Sequence, residues 1–178
     1  EYPFGQKELY GLAYRGDFDL GNHAKMSGAD LSYTDPETGE KFVPHVIEPT
    51  FGLDRSVLVV LLEAYHEEKE RTVLKLPRLL APFKAAVFPL LANKPELVKL
   101  ARAVYDDLRK KFCIAWDDRG NIGKRYYSQD EIGTPFCITV DFDSLDKKDV
   151  TVRNRDTTKQ ERIPIKELAD YLNNKIFL

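Results

Sequence analysis

The chain has 178 residues, of which 43% are hydrophobic and 31% are charged, and its formal net charge is −2. This composition is typical of a globular protein of one or two domains with enough apolar residues to bury a core. No apolar run approaches the roughly 18 to 20 residues of a membrane helix, and the N-terminus EYPFGQKELYG lacks a basic region followed by an apolar one. We therefore expect neither a membrane-spanning segment nor a signal peptide.

The charge is divided unevenly along the chain. Residues 1–79 carry 9 Lys+Arg and 14 Asp+Glu, whereas residues 80–178 carry 18 and 15. The second part is therefore the better candidate for contact with a polyanion, although so small an excess is equally typical of an ordinary solvated surface.

The first predicted elements are strands separated by a polar segment. Residues 3–16 alternate as in a strand, and residues 17–30 are polar with two glycines, which favours a short helix or a loop. Residues 31–48 predict a hairpin, because the turn sequence DPETG separates two short runs of strand-forming residues.

The stretch HVIEPTFGLDRS, residues 45–56, predicts a strand that bends into a helix. Proline and glycine end the strand, and the apolar-rich sequence that follows predicts a helix to about Glu70. The bend gathers Glu48, Thr50 and Arg55 at a helix N-terminus, where free N–H groups favour anions. On local chemistry alone, a capped helix with an ordinary ion pair between Glu48 and Arg55 is the simpler interpretation.

Strands and helices alternate in the remainder of the chain. Residues 71–82 contain two prolines and little periodicity, which predicts an extended linker. After it, Asn93 is a candidate helix cap, and the apolar stripe from Leu97 to Phe112 predicts an amphipathic helix. The other predicted elements are strands at 82–90, 112–116 and 135–142, a helix at 122–129, a hairpin at 149–163 and a final amphipathic helix. This order predicts a parallel or mixed sheet covered by helices.

The two cysteines, Cys113 and Cys137, lie within apolar stretches and lack metal-ligand spacing. We expect them to be buried, reduced thiols of a cytosolic protein.

The string GNIGKRYYSQDEIGTPF, residues 120–136, combines positive charge with aromatic rings. Single-stranded RNA is bound by this combination, since its phosphates need cations and its bases need stacking surfaces. A surface turn with structural aromatic residues explains the string equally well on local grounds.

Three strings together resemble a known family. EPTFGLDR, residues 48–55, resembles motif 3 of class II aminoacyl-tRNA synthetases in its glycyl-tRNA synthetase form. GQKELYGLAYR, residues 5–15, is similar to a strand of the catalytic sheet of the same enzymes. Residues 120–136, with the hairpin TVRNRDT at 151–157, resemble the anticodon-binding domain of glycyl-, histidyl-, prolyl- and threonyl-tRNA synthetases.

This resemblance implies an α/β fold in two domains. Residues 1–72 would form the C-terminal part of a class II catalytic domain, which is an antiparallel sheet segment, and residues 73–82 a linker. Residues 83–178 would form an anticodon-binding domain, with a five-stranded mixed sheet flanked by three helices.

The resemblance also implies roles for residues near the bend. Glu48 would bind the glycine ammonium and Arg55 would pair with ATP phosphate or stack on adenine, so these two are the candidate catalytic residues. The implied glycine-binding set is Glu48, Pro49, Thr50, Phe51 and Gly52. The implied ATP-binding set is Glu8, Leu9, Gly52, Leu53, Asp54 and Arg55. Glu8 would also lie near the Mg²⁺ that accompanies ATP.

For RNA recognition, the resemblance implies an anticodon-binding set of Lys124, Arg125, Tyr126, Asp130, Glu131, Arg153 and Arg155. Carboxylates in this set suit the amino groups of a cytosine-containing glycine anticodon, and the cations suit phosphates. The residues alone leave open which side chains touch bases and which hold the loop.

The implied function is ATP-dependent attachment of glycine to tRNA(Gly) through glycyl-adenylate, in the cytoplasm. Motifs 1 and 2 of the family are absent from the chain, so we expect a fragment that is inactive alone but retains anticodon recognition. The full-length enzyme would be a homodimer and the fragment a monomer. The alternative is a non-catalytic synthetase-like protein that binds RNA or serves as a polymerase accessory subunit.

Overall fold

A computed structural model describes residues 1–177, and the chain divides into a first unit, Glu1–Val59, and a second unit that begins at Val60. Within the described residues, no helix is both long enough and apolar enough to cross a lipid bilayer.

An antiparallel pair of strands is the centre of the first unit. Strand β1, Tyr10–Gly16, pairs with β4, Val46–Phe51, so that Gly11 lies opposite Thr50 and Ala13 opposite Glu48. The remaining elements are α1 (Phe18–Ser27), the hairpin of β2 (Tyr33–Thr34) and β3 (Lys41–Phe42), and α2 (Leu53–Ala64), which continues into the second unit. The predicted hairpin and strand-to-helix bend are therefore present. The strand predicted over residues 3–16 begins only at Tyr10, and β4 continues through Pro49 to Phe51, so that Gly52 alone ends it.

The two faces of this strand pair differ in chemistry, because successive side chains of a strand point to opposite sides. One face carries small and polar residues, including Gly11, Ala13, Glu48 and Thr50. The other carries large apolar residues that are more than half exposed, namely Tyr10, Leu12, Tyr14, Ile47 and Phe51.

A five-stranded mixed sheet forms the second unit, in the order β11-β10-β9-β7-β8. Its strands are β7 (Ala85–Pro89), β8 (Ile114–Trp116), β9 (Phe136–Val140), β10 (Asp149–Asn154) and β11 (Gln160–Pro164). Strand β7 runs parallel to both neighbours, whereas β10 is antiparallel to β9 and β11. The prediction of an α/β fold with such a sheet is confirmed.

The helices of the second unit cover this sheet with apolar side chains. They are α3 (Pro95–Leu108), α4 (Ile122–Glu131), α5 (Phe142–Lys147) and α6 (Leu168–Phe177), the last preceded by a 3-10 turn at Ile165–Glu167. The stripe predicted on α3 is buried at Leu97, Ala101, Val104 and Leu108. These side chains pack with the sheet and α6 in the main core.

The structure differs from the sequence-based prediction between residues 65 and 82. Helix α2 ends at Ala64 instead of Glu70, and the chain forms a hairpin of β5, Tyr65–Glu67, and β6, Thr72–Leu74. The predicted linker contains buried Val73, Leu76 and Ala81. Burial of these apolar side chains holds the segment within the second unit. Their irregular spacing gives no helix or strand pattern, so the sequence did not predict this packing.

One smaller prediction was wrong at a helix end, and one short helix was missed. Helix α3 begins after Lys94, not Asn93, with Pro95 at its first turn. Helix α5 was not predicted, although Asp141 and Ser144 form a capping box at its start.

The prediction of two buried thiols holds only for Cys137, because Cys113 is exposed. Burial raises the pKa of the Cys137 thiol to about 12.

Since thiolates are the reactive form, we expect iodoacetamide at neutral pH to modify Cys113 in the folded protein and to spare Cys137. Peptide mass spectrometry measures this, with urea-unfolded protein as the control in which both are modified. Equal rates for both residues in the folded protein would contradict the assigned burial.

Candidate functional site

A cleft of about 350 Å³ lies in the first unit, where β4 bends into α2. It is lined by all six residues of the predicted ATP-binding set and by Thr50 and Phe51 of the predicted glycine-binding set. Sequence positions more than 40 residues apart therefore meet at one surface, because β1 and β4 are paired. The N–H groups of the first turn of α2 are available to an anion at this end of the helix.

Backbone contacts bring the two sides of the cleft close together. The N–H of Gly52 donates to the carbonyl oxygen of Leu9 over 3.1 Å, and Arg55 donates through Nη1 to the carbonyl oxygen of Glu8. A Cβ atom at Gly52 would lie 2.9 Å from the carbonyl oxygen of Leu9, so no larger residue fits there without a backbone shift. Glycine at position 52 thus allows the close approach that forms the cleft.

A carboxylate and a hydroxyl meet over a second glycine. A Cβ atom at Gly11 would lie 3.3 Å from Oε1 of Glu8 and 3.5 Å from Oγ1 of Thr50. The absence of a side chain at Gly11 therefore leaves room for both groups on the same face of the strand pair.

Glu48 does not line the cleft itself. The simple interpretation of the bend, an ion pair between Glu48 and Arg55, is wrong: Glu48 pairs with Arg15 at 3.3 Å, and Arg55 bonds to main chain. Thr50 donates to Glu48 Oε1 over 3.3 Å, which connects Glu48 to a residue of the cleft. Arg15 also bonds Asp19, and these two acids raise the pKa of Arg15, with Asp19 contributing most.

In the second unit, one buried carboxylate joins two arginines. Asp130 has no exposed surface and accepts two hydrogen bonds from Arg153, at 2.8 and 2.9 Å, and one from Arg71 at 2.7 Å. Burial acts to lower the pKa of Arg153, but the bonds to Asp130 outweigh it and raise that pKa. The three side chains form a buried charged cluster under the candidate RNA surface.

Two more predicted arginines are buried and bonded to main chain. Arg125 donates to the carbonyl oxygens of Pro89, Gly120 and Arg119. Arg155 donates to those of Gly133 and Leu76. Arg125 therefore ties the loop before α4 to the end of β7. Arg155 ties the turn after α4 to the segment after β6.

A cavity of about 510 Å³ opens beside this cluster. Of the predicted anticodon-binding set, Tyr126 and Arg153 line it. Glu131 lines a neighbouring depression, and the side chain of Lys124 is exposed on α4. Sequence reasoning missed Arg71 because this residue begins the stretch 71–82 that was predicted to be extended and unstructured. It also did not separate Tyr127, which lines the cavity, from the adjacent Tyr126.

Comparison with known proteins identifies the class of the chain. Residues 84–175, just over half of it, match the family model described as "Anticodon binding domain". The chain belongs to this family. Its fold is shared by a prolyl-tRNA synthetase from Cryptosporidium parvum, whose structure was determined with L-proline and AMP, with a TM-score of 0.71 and 22% identity. That match covers 94% of this chain and 35% of the other.

Glycine–tRNA ligases are among the curated proteins similar to the chain. The enzyme of Clostridium beijerinckii is 52% identical over 176 residues, which are 96% of this chain and 37% of the relative. That of Bacillus cereus is 51% identical over 180 residues, 99% of this chain and 39% of the relative. The predicted resemblance to glycyl-tRNA synthetases is confirmed, and the chain spans less than two fifths of the length of these relatives.

Proposed function

We propose that the chain is part of a glycine–tRNA ligase, which attaches glycine to tRNA(Gly) with ATP. The observation that carries this proposal is the cleft at the bend, where Glu8, Gly52 and Arg55 meet although they are distant in sequence. This convergence disfavours the non-catalytic alternative, since an accessory protein has no need to retain the residues of an ATP site. The proposed reaction takes place in the cytoplasm, in a homodimeric full-length enzyme.

The proposed reaction has two steps. The carboxylate of glycine attacks the α-phosphorus of ATP and pyrophosphate leaves, and a terminal hydroxyl of the tRNA then takes the glycyl group from the adenylate and AMP leaves. Such chemistry depends chiefly on positioning and on stabilisation of charge. A cleft at a helix N-terminus, with Arg55 at its edge, supplies both for the phosphates.

The glycine end of the proposed site is formed by the polar face of the strand pair. Glu48 is the proposed partner of the glycine ammonium, and Arg15 holds it in place through a salt bridge of 3.3 Å. Thr50 bonds Glu48 and lines the cleft, so it connects the amino-acid site to the nucleotide site. Pro49 and Phe51 belong to the same strand, β4, but lie on its opposite, apolar face.

Mg²⁺ would enter this site with ATP. Glu8 offers a carboxylate to the cleft, but residues 1–177 contain no group of three His, Cys, Asp or Glu side chains placed to hold a metal ion. This donor set fits an ion that keeps phosphate and water ligands, which is the usual coordination of Mg²⁺. Bound in that way, Mg²⁺ would neutralise charge on the phosphates.

The anticodon-binding role divides the seven predicted residues into two groups. Asp130, Arg125 and Arg155 are buried and internally bonded, so we assign them to holding the RNA-binding surface. The groups we assign to RNA contact are Lys124, Tyr126, Glu131 and the part of Arg153 that reaches the cavity.

Anticodon recognition is tested by binding of the purified chain to tRNA(Gly) and to the same tRNA with changed anticodon bases. We expect the native anticodon to bind at least about tenfold more tightly, corresponding to ~1.4 kcal/mol. Both affinities are measured at one salt concentration, because phosphate contacts make binding salt-dependent. Equal affinity for the two RNAs would contradict this part of the proposal.

A further inference from the structure

Arg15 is the extra residue of a β-bulge in β1. Its two neighbours in β1 pair with Ile47 and Val46, which are adjacent in β4, so Arg15 is inserted between two consecutive pairs. A bulge changes the direction of a side chain and is common beside active sites. Here it brings the Arg15 guanidinium to the polar face of the strand pair, where Nε lies 3.3 Å from Oε2 of Glu48.

A second carboxylate binds the same guanidinium more closely. Asp19, in the first turn of α1, accepts a hydrogen bond from Arg15 Nε over 2.6 Å and another from Nη2 over 2.7 Å. This two-pronged geometry is the strong form of an arginine–carboxylate pair. The hydrogen bonds from Arg15 hold the pKa of the Asp19 carboxyl below its ordinary value, so Asp19 is ionised at neutral pH.

Glu48 is held at both of its carboxylate oxygens. Oε2 faces Arg15, and Oε1 accepts from Thr50 over 3.3 Å. The Glu48 side chain nevertheless remains 45% exposed. Ala13 lies opposite Glu48 in the strand pair and Gly11 lies opposite Thr50, and these small residues leave the polar face open. The carboxylate is therefore oriented and still accessible to a ligand.

The three charged side chains carry one excess negative charge, because two carboxylates share one guanidinium. If Arg15 and Glu48 were alone, the guanidinium would cancel the carboxylate, and a cation would gain little by binding there. Asp19 offsets Arg15 and removes this conflict. The remaining negative charge suits a ligand with one positive charge, such as the ammonium group of an amino acid.

We propose that Arg15 is the positioning residue for Glu48 and that Asp19 offsets the charge of Arg15, which leaves the Glu48 charge for the glycine ammonium. Arg15 sets the orientation of the Glu48 carboxylate, and Asp19 engages two donors of Arg15. Both residues act through Glu48. This inference rests on the proposed function and adds two residues to the amino-acid end of that site.

The test is a double-mutant cycle in a chimera in which this chain replaces the matching region of the Clostridium beijerinckii glycine–tRNA ligase. ATP–pyrophosphate exchange gives kcat and separate KM values for glycine and ATP. The variants are Asp19→Asn, Arg15→Met and the double variant. The control cycle combines Asp30→Asn with Lys41→Met, because these residues form an ion pair in the same unit whose side chains are 66% and 58% exposed.

We expect Asp19→Asn and Arg15→Met each to raise KM for glycine by about tenfold, since one unmasks the Arg15 charge and the other releases the Glu48 carboxylate. KM for ATP, measured at saturating glycine, should stay unchanged, because both residues lie outside the cleft assigned to ATP. The double variant should equal Arg15→Met, since Asp19 acts only through Arg15. The control cycle should leave both KM values unchanged. A purely structural role would instead lower the melting temperature and kcat and would not single out glycine.

The Asp19 and Arg15 side chains are 27% and 36% exposed, so we expect both variants to fold, and Asp19→Asn is decisive by itself. The inference is overturned if Asp19→Asn leaves KM for glycine unchanged, or if the effects of the two substitutions multiply in the double variant. Either result would leave the proposed reaction intact, because the unsubstituted chimera would still catalyse exchange. If the unsubstituted chimera shows no exchange, the proposed function fails, and this role fails with it.

Discussion

Replacing Asp130 by asparagine is expected to lower the free energy of unfolding of the second unit by about 3 kcal/mol, since breaking a buried ion pair leaves uncompensated charge. Asp130 is fully buried and is the shared partner of Arg71 and Arg153, whose side chains are 7% and 6% exposed. Asparagine keeps the size of the side chain but removes its charge and one acceptor. Both arginines would then remain buried with weakened partners.

Denaturant unfolding followed by fluorescence of Trp116, the single tryptophan, measures this loss in the second unit. Asp107→Asn is the matched control. Its pair with Lys110 is exposed, with side chains 73% and 72% accessible, so we expect a change below about 0.5 kcal/mol. Equal stability of the Asp130 variant and the control would show that the cluster does not stabilise the fold.

Gly133→Ala is expected to destabilise the same unit by about 2–4 kcal/mol, for two independent reasons. Gly133 has φ +82°, a left-handed conformation that side chains disfavour. A Cβ atom there would also lie 2.9 Å from Cδ1 of Leu76 and 3.0 Å from the carbonyl oxygen of Leu74. The substitution would push the segment after β6 away from the end of α4.

Gly120→Ala separates the two effects. Gly120 has φ +63°, but a Cβ atom there would meet nothing within 4 Å. We expect it to cost about 1 kcal/mol from backbone strain alone. A loss at Gly133 no larger than that at Gly120 would contradict the packing of residues 74–76 against this turn.

Local patterns were sufficient to predict most of the fold. The spacing of Leu97, Ala101, Val104 and Leu108 predicted α3, and the DPETG turn predicted the β2–β3 hairpin, because each signal lies within a few neighbouring residues. The β5–β6 hairpin escaped prediction because the charged tract EEKE, residues 67–70, which forms the end of β5 and most of the turn, also suits the end of a helix. Its strands are stabilised by burial of Val73 in the second unit, which no local pattern reveals.

The candidate sites were likewise predicted in part: the sequence selected the residues but not their contacts or burial. Resemblance to a family selected the residues of the first-unit cleft, and the structure places six of the predicted nucleotide-binding residues together there. The resemblance could not assign the ion-pair partner of Glu48, which is Arg15 and not Arg55. Nor could it separate buried Asp130 and Arg155 from exposed Lys124, because a charged residue in a motif carries no sign of its burial.

The most direct test of the central claim, that the bend at residues 48–55 is part of a glycine and ATP site, is activity in a complete enzyme. The chain is 52% identical to the matching region of the Clostridium beijerinckii glycine–tRNA ligase and can replace that region in a chimera. We expect the chimera to catalyse glycine-dependent ATP–pyrophosphate exchange, and the 178-residue chain alone to show none.

In that chimera, Arg55→Met and Glu48→Gln should each lower exchange by about 100-fold, because each removes a charge that we propose contacts a substrate. Glu40→Gln is the control, since Glu40 is an exposed residue at the end of the β2–β3 turn and should leave exchange unchanged. A folded chimera without exchange, or one that keeps full exchange after Arg55→Met and Glu48→Gln, would contradict the assignment of the bend.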